Sequence, residues 1–292
     1  MSNTQEAELL PRWIAANGLE FGYLEAGQGP LVLCLHGFPD SAWTFASLLR
    51  VLAGAGFRAV APFQRGYAPS EIPADGDYRA TTLARNAIAL ADHFGAARFS
   101  LVGHDWGAMA AYIAATQRPD RVARIVTAAV PHPRRFLLRP TFAQLWRSRY
   151  MGFFQLRGIA ERRVRANHCA WIDGLVREWS PGWRFSEADL APVKANLLEP
   201  ARLRAALGYY RALPSELSRG ETWKLLSQPV GAPARVIYGV DDGCIGAEMF
   251  SGMEHLFAAG VDVVAMQGAG HFMQREQPEV FNRLVLEFLR TT

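Results

Sequence analysis

Cysteine is scarce in this chain of 292 residues, and its arrangement excludes several classes of protein. The three cysteines, Cys34, Cys169 and Cys244, are odd in number and form no C-x-x-C or C-x-x-x-x-H pattern. Such spacings are typical of zinc sites and disulfide scaffolds, so we expect neither a bound metal nor an oxidising compartment. Internal repeats are absent too, and apolar residues at 50% are typical of a globular protein.

Long hydrophobic runs are also missing. The sequence has no run of about 18 apolar residues, the length that a helix needs to span a bilayer. The first ten residues include Glu6 and Glu8 and lack a basic stretch followed by an apolar core, so no signal peptide is expected. We therefore expect a soluble, cytoplasmic protein without a membrane partner.

Neither sign of charge dominates, but the charge is unevenly distributed. The formal net charge of +4 is the balance of +9 between His132 and Lys224 and −5 over the remainder. The arginines of the basic part are scattered at helical spacing and form no basic run. This pattern is typical of a solvated helical face, so we do not expect a nucleic-acid partner.

Short β-like runs alternate with helical patterns at both ends of the chain. Several runs are continuously apolar, which is typical of parallel strands covered by helices on both faces. The alternation predicts a mostly parallel, doubly wound α/β sheet. The predicted strands are Phe21–Ala26, Leu31–His36, Arg58–Pro62, Phe99–Gly103, Ala123–Ala129, Ala234–Tyr238 and Val261–Met266. The predicted helices of this part are Ser41–Ala55, Thr81–Phe94, Gly107–Thr116, Ala247–Ala258 and Pro278–Leu289.

Between residues 132 and 224 the strand pattern stops, and amphipathic helical patterns rich in Trp, Arg and Tyr replace it. Proline-containing stretches at 131–133 and 228–231 bracket this part. We predict a helical cap of residues 132–224, inserted into a core of residues 1–131 and 225–292. Such a cap would cover the carboxyl edge of the sheet, where open α/β sheets bind ligands.

The stretch Gly103-His104-Asp105-Trp106-Gly107 follows a predicted strand and leads directly into a helical pattern. Small residues around the centre allow a sharp strand-to-helix turn, as in the G-x-S-x-G nucleophile elbow, with Asp105 in place of serine. The turn exposes the central side chain beside a helix N-terminus, which favours negative charge. Asp is also common as a helix N-cap, so the motif alone leaves both interpretations open.

Other segments supply partners for this aspartate. His271 follows the last predicted strand, and Asp241 and Asp242 follow the strand before it. The order nucleophile, acid, histidine is that of α/β-hydrolases and predicts a catalytic triad. Phe38 follows an earlier strand, and its backbone N–H and that of Trp106 could form an oxyanion hole.

The chain resembles the α/β-hydrolase superfamily over nearly its whole length. More narrowly, His36-Gly37-Phe38-Pro39 and Gly103-His104-Asp105-Trp106-Gly107 resemble motifs of soluble epoxide hydrolases. The resemblance implies an aspartate nucleophile, Asp105, together with an acid–histidine pair and a helical cap. The spacing Gly239-x-x-Asp242 matches the acid position of that family, which implies Asp242 rather than its neighbour.

One segment departs from the family pattern. Related sequences usually have Asp where Gln64 stands and Gly where Ala68 stands. This loop supports the structure in the family, so the departure concerns its hydrogen bonds more than the chemistry.

A carboxylate nucleophile suits displacement at a saturated carbon and gives a covalent alkyl ester, because it is already ionised at neutral pH. A histidine oriented by Asp242 would then activate water, and the oxyanion amides would hold the negative charge. The scheme needs a small-molecule substrate and water, and no metal or organic cofactor. It suits epoxides and haloalkanes alike, so the leaving group has to distinguish them.

An opening epoxide benefits from hydrogen-bond donors on its oxygen, and the resemblance implies two cap tyrosines in that role. The segment 149–155 is similar to the first tyrosine segment of the family. Leu207–Arg211 is similar to the second, in which the tyrosine directly precedes a basic residue. The resemblance therefore implies Tyr150 and Tyr210, not Tyr209, and predicts hydrolysis of epoxides to vicinal diols.

We expect the substrate pocket to be aromatic and to suit apolar epoxides. Its predicted residues are His36, Pro39, Trp106 and Phe272.

Two other functions stay open on the sequence. Haloalkane dehalogenases share the Asp-Trp elbow but often carry Asn, or another polar residue, where Phe38 stands. Their second halide-binding tryptophan can lie in the cap, which here contains Trp146, Trp171, Trp179 and Trp183. Fluoroacetate dehalogenases carry arginines where Trp106 and Met109 stand, which argues against that substrate. An inactive binding protein on the same scaffold would not need an intact triad.

Overall fold

The computed structural model describes residues 8–291, so the expectation about a signal peptide rests largely on residues outside it. Its eight strands are β1 (Arg12–Ala16), β2 (Leu19–Ala26), β3 (Leu31–Leu35), β4 (Arg58–Pro62), β5 (Phe99–His104), β6 (Val122–Ala128), β7 (Ala234–Gly239) and β8 (Val261–Met266). They form one sheet in the order β1-β2-β4-β3-β5-β6-β7-β8. The pairs β1–β2 and β2–β4 are antiparallel and the other five are parallel, which confirms the predicted mostly parallel sheet.

The edge strand β1 was not predicted from the sequence. It forms a hairpin with β2 through the two residues Asn17 and Gly18, which both have positive φ, 47° and 75°. Asn-Gly is the sequence typical of such a two-residue turn, because both residues tolerate left-handed backbone. The signal for β1 was therefore present in the turn rather than in the strand.

Twelve α-helices occur in the described chain. They are α1 (Ala46–Gly54), α2 (Ala80–His93), α3 (Trp106–Gln117), α4 (Pro133–Leu138), α5 (Phe142–Arg147), α6 (Arg149–Phe153), α7 (Ile159–Trp179), α8 (Glu187–Leu198), α9 (Pro200–Leu217), α10 (Gly220–Ser227), α11 (Met273–Glu276) and α12 (Pro278–Arg290). Helix α7 is interrupted by non-helical backbone at residues 166–169. Within residues 8–291, no helix combines the length and the hydropathy that crossing a bilayer requires.

The predicted helix over Ala247–Ala258 is wrong. The segment forms two short 3-10 helices instead, Ala247–Phe250 and Glu254–Leu256. Between them Gly252 has a φ of +71°, a left-handed value that ends a helix rather than continuing it.

Helices cover both faces of the sheet. Every residue of β3 is buried, as its continuous apolar run predicts. Leu33 and Leu35 pack in the cluster that contains α2 and α3, whereas Val32 and Cys34 pack in the cluster that contains α1 and α12. Successive side chains of a strand point to opposite faces, so the run serves two cores at once.

Helices α4–α10 lie between β6 and β7, and we refer to residues 133–227 as the cap segment. Helix α10 extends past the predicted boundary at residue 224. Side chains of α9 join the cap segment to the rest of the fold. Tyr209 donates its hydroxyl to the backbone oxygen of Arg65 at 2.8 Å, and the Glu216 carboxylate accepts the amides of Ala80 and Thr81, both at 3.0 Å.

Candidate active site

Asp105 occupies a sharp turn between β5 and α3. Its backbone has φ 52° and ψ −117°, a conformation that non-glycine residues rarely adopt. Two neighbouring glycines allow the turn, because a Cβ on Gly107 would collide with the backbone oxygen of Leu35 and one on Gly103 with that of Gly107. The carboxylate makes no capping hydrogen bond to α3. Its Oδ1 accepts instead the backbone amide of Phe38 at 2.7 Å, so the N-cap interpretation is not favoured.

The loops after β7 and β8 bring an acid and a histidine to this turn. Nδ1 of His271 lies 2.9 Å from Oδ2 of Asp242, and its Nε2 lies 3.8 Å from Oδ2 of Asp105. Asp242 is buried and its neighbour Asp241 is exposed. The parallel strands end at one edge of the sheet, so three residues far apart in sequence meet there.

Backbone amides fix the acid in this geometry. Oδ1 of Asp242 accepts the amides of Cys244 at 2.6 Å and Ile245 at 3.0 Å, which leaves Oδ2 for the histidine. His271 is held by its own amide, which donates to the backbone oxygen of Trp179 at 3.0 Å. The acid and the ring are therefore positioned independently of any ligand.

The charge on His271 depends on both carboxylates. Burial alone would lower the pKa of the imidazole, but the charge and hydrogen bond of Asp242 and the nearby charge of Asp105 raise it to about 10. The free site therefore favours an imidazolium between two carboxylates. Loss of the negative charge on Asp105 would lower this pKa again and turn the histidine into a base.

The two cap tyrosines lie near Asp105, on different helices of the cap segment. Tyr150 belongs to α6 and Tyr210 to α9, and their ring centroids are 5.6 Å apart. The hydroxyl of Tyr150 lies 3.5 Å from Sγ of Cys244. Burial raises the pKa of both tyrosines well above 10, so both hydroxyls keep their protons. The hydroxyl of Tyr209, in contrast, is used in the bond to Arg65.

Three buried polar atoms at the site have no hydrogen-bond partner among the described residues. They are the hydroxyl of Tyr210, Nε1 of Trp106 and Nε2 of His271. Buried polar groups are nearly always paired in folded proteins, so an unpaired cluster next to a cavity indicates a place for a ligand or water.

A cavity that is partly open to solvent extends from Asp105 between the sheet edge and the cap segment. Its walls are mostly apolar and come from α3, α4, α6, α9 and α10. The lining residues are Ala80, Asp105, Trp106, Met109, Ile113, Val130, Pro133, Phe136, Leu137, Tyr150, Met151, Tyr210, Leu213, Glu216, Leu217, Thr222, Leu226 and Ile245. An apolar cleft with a few convergent polar groups is the usual form of a small-molecule site.

Of the four residues predicted for the pocket, the structure places only Trp106 on this wall. Pro39 and Phe272 line a separate, smaller cavity. His36 is fully buried and supports the loop that follows β4: its Nε2 accepts the amide of Gln64 at 2.9 Å, and burial lowers its pKa to about 4.

The two departures in the loop after β4 are accommodated by hydrogen bonds. The side-chain amide of Gln64 donates to the backbone oxygen of His36 at 3.2 Å. The backbone amide of Ala68 donates to Oδ1 of Asn196 in α8 at 2.8 Å. The loop therefore stays anchored both to the sheet edge and to the cap segment.

Sequence reasoning missed three residues near the site. His104 lies with Nε2 2.9 Å from the backbone oxygen of His271, and burial lowers its pKa to about 3, so the neutral ring can donate there. Cys244 contacts Tyr150, and Glu216 lines the cavity. The signal available for His104 was its position directly before the proposed nucleophile. No local pattern in the sequence indicates Cys244 or Glu216.

One group of described residues brings three metal-ligand atoms within 4.8 Å of one another, namely Asp242, Cys244 and His271. The carboxylate is already occupied by the histidine and two amides. Burial raises the pKa of the Cys244 thiol well above its usual value, so the thiolate that a metal requires is disfavoured. The group therefore suits a proton-sharing pair better than a metal.

Comparison with known proteins identifies the class to which this fold and site belong. The family model described as alpha/beta hydrolase fold matches residues 30–278, so the protein belongs to the α/β-hydrolase family. An epoxide hydrolase of Caballeronia sordidicola is 31% identical over an alignment of 316 residues with gaps, and the alignment covers 95% of this chain and 93% of the relative. The AB hydrolase superfamily protein YfhM of Bacillus subtilis is 30% identical over 285 residues, covering 96% and 97%.

Solved structures of epoxide hydrolases are also similar to this chain. A crystal structure of the Bacillus megaterium epoxide hydrolase in complex with an inhibitor matches with a TM-score of 0.84 and 26% identity, over 96% of this chain and 100% of that one. Within the α/β-hydrolases, the chain therefore falls in the group that contains these epoxide hydrolases.

Proposed function

We propose that this protein is an epoxide hydrolase that converts apolar epoxides to vicinal diols through an ester with Asp105. The observation that carries the proposal is the pair of protonated hydroxyls of Tyr150 and Tyr210, which line the same cavity as that carboxylate. A carboxylate nucleophile and two hydrogen-bond donors in one cavity match the needs of a three-membered cyclic ether. The epoxide hydrolases among the relatives support the same function.

In the first step, Oδ2 of Asp105 attacks an epoxide carbon and the carbon–oxygen bond of the ring breaks. Oδ1 is the better candidate for the ester carbonyl oxygen, because the amide of Phe38 already binds it. The released oxygen takes a proton from one of the two tyrosines. As the ester forms, Asp105 loses its charge, the pKa of His271 falls, and the proton that it releases restores the tyrosine.

In the second step, the neutral His271 takes a proton from water, and the hydroxide attacks the carbonyl carbon of the ester. The negative charge moves to Oδ1, where the amides of Phe38 and Trp106 stabilise it. Collapse of this intermediate expels the diol oxygen, which takes the carboxyl proton, and leaves Asp105 ionised beside protonated His271. The distance of 3.8 Å between Nε2 and Oδ2 is too long for a direct hydrogen bond and gives water access to the carboxyl carbon.

A haloalkane dehalogenase is the second candidate, because the unpaired indole N–H of Trp106 could bind a halide. A second tryptophan, or an Asn or Gln side chain, is lacking among the described cavity residues. Phe38 offers only its ring, and none of Trp146, Trp171, Trp179 and Trp183 lines the cavity with Asp105. An inactive binding protein is less well supported, because all three triad residues are present and close together. His271 lies 2.9 Å from Asp242 and 3.8 Å from Asp105.

Location and partners follow from surface and cysteine chemistry. We propose a cytoplasmic location, because all three cysteines are free and buried, as in proteins of reducing compartments. We propose no nucleic-acid partner, because arginines of the cap segment are used in ion pairs, such as Arg149 with Glu178 and Arg211 with Glu161, both at 2.7 Å.

The test is a matched panel of apolar epoxides and haloalkanes, with diol formation and halide release followed together. Diol without halide is the expected result. Halide without diol would move the assignment to the dehalogenase. Release of neither product, with bound epoxide detected by calorimetry, would support a binding protein.

A further inference from the structure

A second carboxylate lines the cavity besides the proposed nucleophile. It is Glu216 on α9, and it is 3% exposed. Among the lining residues that the structure describes, no Lys, Arg or His accompanies it. The interior of the cavity thus presents acidic groups at two places and apolar walls between them.

Glu216 is held by backbone amides, and the nearby guanidinium of Arg79 is paired with Asp77 at 2.6 Å. Its Oε2 and Oε1 accept the amides of Ala80 and Thr81, each at 3.0 Å. These residues are the first two of α2, where unpaired amides and the helix dipole favour negative charge. A carboxylate has about four acceptor positions, so about two are not used by these amides.

Glu216 lies further along α9 than Tyr210. It follows Tyr210 by six residues, which corresponds to about 9 Å along a helix axis. Leu213 and Leu217 of the same helix also line the cavity. A substrate whose epoxide oxygen meets Tyr210 can therefore extend an apolar chain along α9 and bring its far end to the carboxylate.

We propose that Glu216 determines specificity by selecting epoxides whose apolar chain ends in a hydrogen-bond donor, an alcohol or an ammonium group. It would exclude chains that end in a carboxylate. Such a substrate would bury a second negative charge near Glu216, and no described residue of the cavity wall is a cation that could pair it, which is costly in apolar surroundings. This inference rests on the proposed epoxide hydrolase activity.

The test uses four terminal epoxides of equal chain length that end in methyl, hydroxyl, ammonium or carboxylate. The measured quantity is the ratio of kcat/KM for the ammonium substrate to that for the carboxylate substrate. For Glu216→Gln we expect this ratio to fall by about 10- to 100-fold, the usual effect of a hydrogen bond to a charged group. Glu221→Gln is the matched control, because Glu221 is an exposed carboxylate of α10. The same chemical change at this position should leave the ratio unaltered.

The ratio separates specificity from stability. Both substrates are measured with the same enzyme preparation. If weaker capping of α2 lowers the fraction of folded Glu216→Gln protein, both kcat/KM values fall by the same factor and their ratio does not change. If that variant does not fold, the wild type alone tests the inference. It should hydrolyse the primary amide of the carboxylate substrate at least tenfold faster than the carboxylate substrate itself. It should also hydrolyse the ammonium substrate faster than the methyl substrate. Equal rates for all of them would overturn the inference.

Two failures have different meanings. No diol from even the methyl-ended epoxide would overturn the proposed function, and the inference with it. Diol from the series with a ratio that Glu216→Gln leaves unchanged would overturn only the role of Glu216.

Discussion

Replacing Asp242 by Asn is expected to block ester hydrolysis while ester formation continues. In the wild type, one carboxylate oxygen accepts the amides of Cys244 and Ile245, and the other lies 2.9 Å from Nδ1 of His271. The Asn side chain has a single oxygen, and the two amides require it. Its NH₂ group then faces Nδ1, so Nδ1 becomes an acceptor and the ring proton moves to Nε2, the atom 3.8 Å from Asp105.

A histidine with its proton on Nε2 cannot accept a proton from water at the ester. General-base catalysis contributes about 10²–10⁴-fold to a rate. The same change of tautomer in a serine protease triad lowers kcat by about 10⁴-fold. We therefore expect steady-state diol formation by Asp242→Asn to fall by about 10³-fold in a folded protein.

Intact-protein mass spectrometry distinguishes the two steps. After incubation with an epoxide, Asp242→Asn should carry one added substrate molecule per chain, and peptide mapping should place it on Asp105. The wild type should show little adduct, because hydrolysis removes it. The control is Asp241→Asn, which makes the same chemical change in the exposed neighbour. Diol formation by Asp242→Asn within about tenfold of the wild type, or an equal loss in the control, would refute the tautomer argument.

Three further predictions concern the same site. Asp105→Ala should retain its fold by circular dichroism and form no diol or adduct; diol from the folded variant would remove this residue from its proposed role. Tyr150→Phe combined with Tyr210→Phe should slow adduct formation in single-turnover experiments by about 10²-fold or more, whereas Tyr209→Phe should cost about 1 kcal/mol of stability with little change in that rate; equal slowing by both would contradict the assignment. The pKa of His271 is raised from 6.5 to about 10 by folding, so its charge stabilises the fold fully below pH 6.5 and this contribution is lost as the pH rises towards 10. Urea unfolding should therefore show a steeper loss of stability over this range for the wild type than for His271→Gln; parallel curves would contradict it.

The sheet and the order of the site were predictable because their signals are local. Short β-like runs, several of them continuously apolar, identified seven of the eight strands, and the turn after β5 required glycines at fixed distances from Asp105. Parallel strands end at a common edge, so a residue directly after a strand has a known destination. This is why an acid after β7 and His271 after β8 were expected near the nucleophile from their order along the chain. The choice of Asp242 over its neighbour, and of Tyr150 and Tyr210, needed the family resemblance.

The errors have local causes of their own. Apolar spacing predicted a helix over Ala247–Ala258, and one left-handed glycine, Gly252, divides that segment. The hairpin of β1 was overlooked because its signal lay in Asn17 and Gly18 rather than in the strand. Each error concerns one element, so neither changed the expected fold class.

The sequence by itself determined the fold class and brought the proposed nucleophile, acid and histidine to one edge of the sheet, because short-range backbone constraints and strand periodicity govern both. The tertiary structure alone decided which side chains form the cavity. His36 and Phe272 stand next to functional motifs yet lie outside its wall, whereas Glu216 carries no motif and lies on it. The orientation of the cap helices depends on packing and hydrogen bonds between residues more than a hundred positions apart, such as Glu216 with Ala80, and no local pattern in the sequence encodes such contacts.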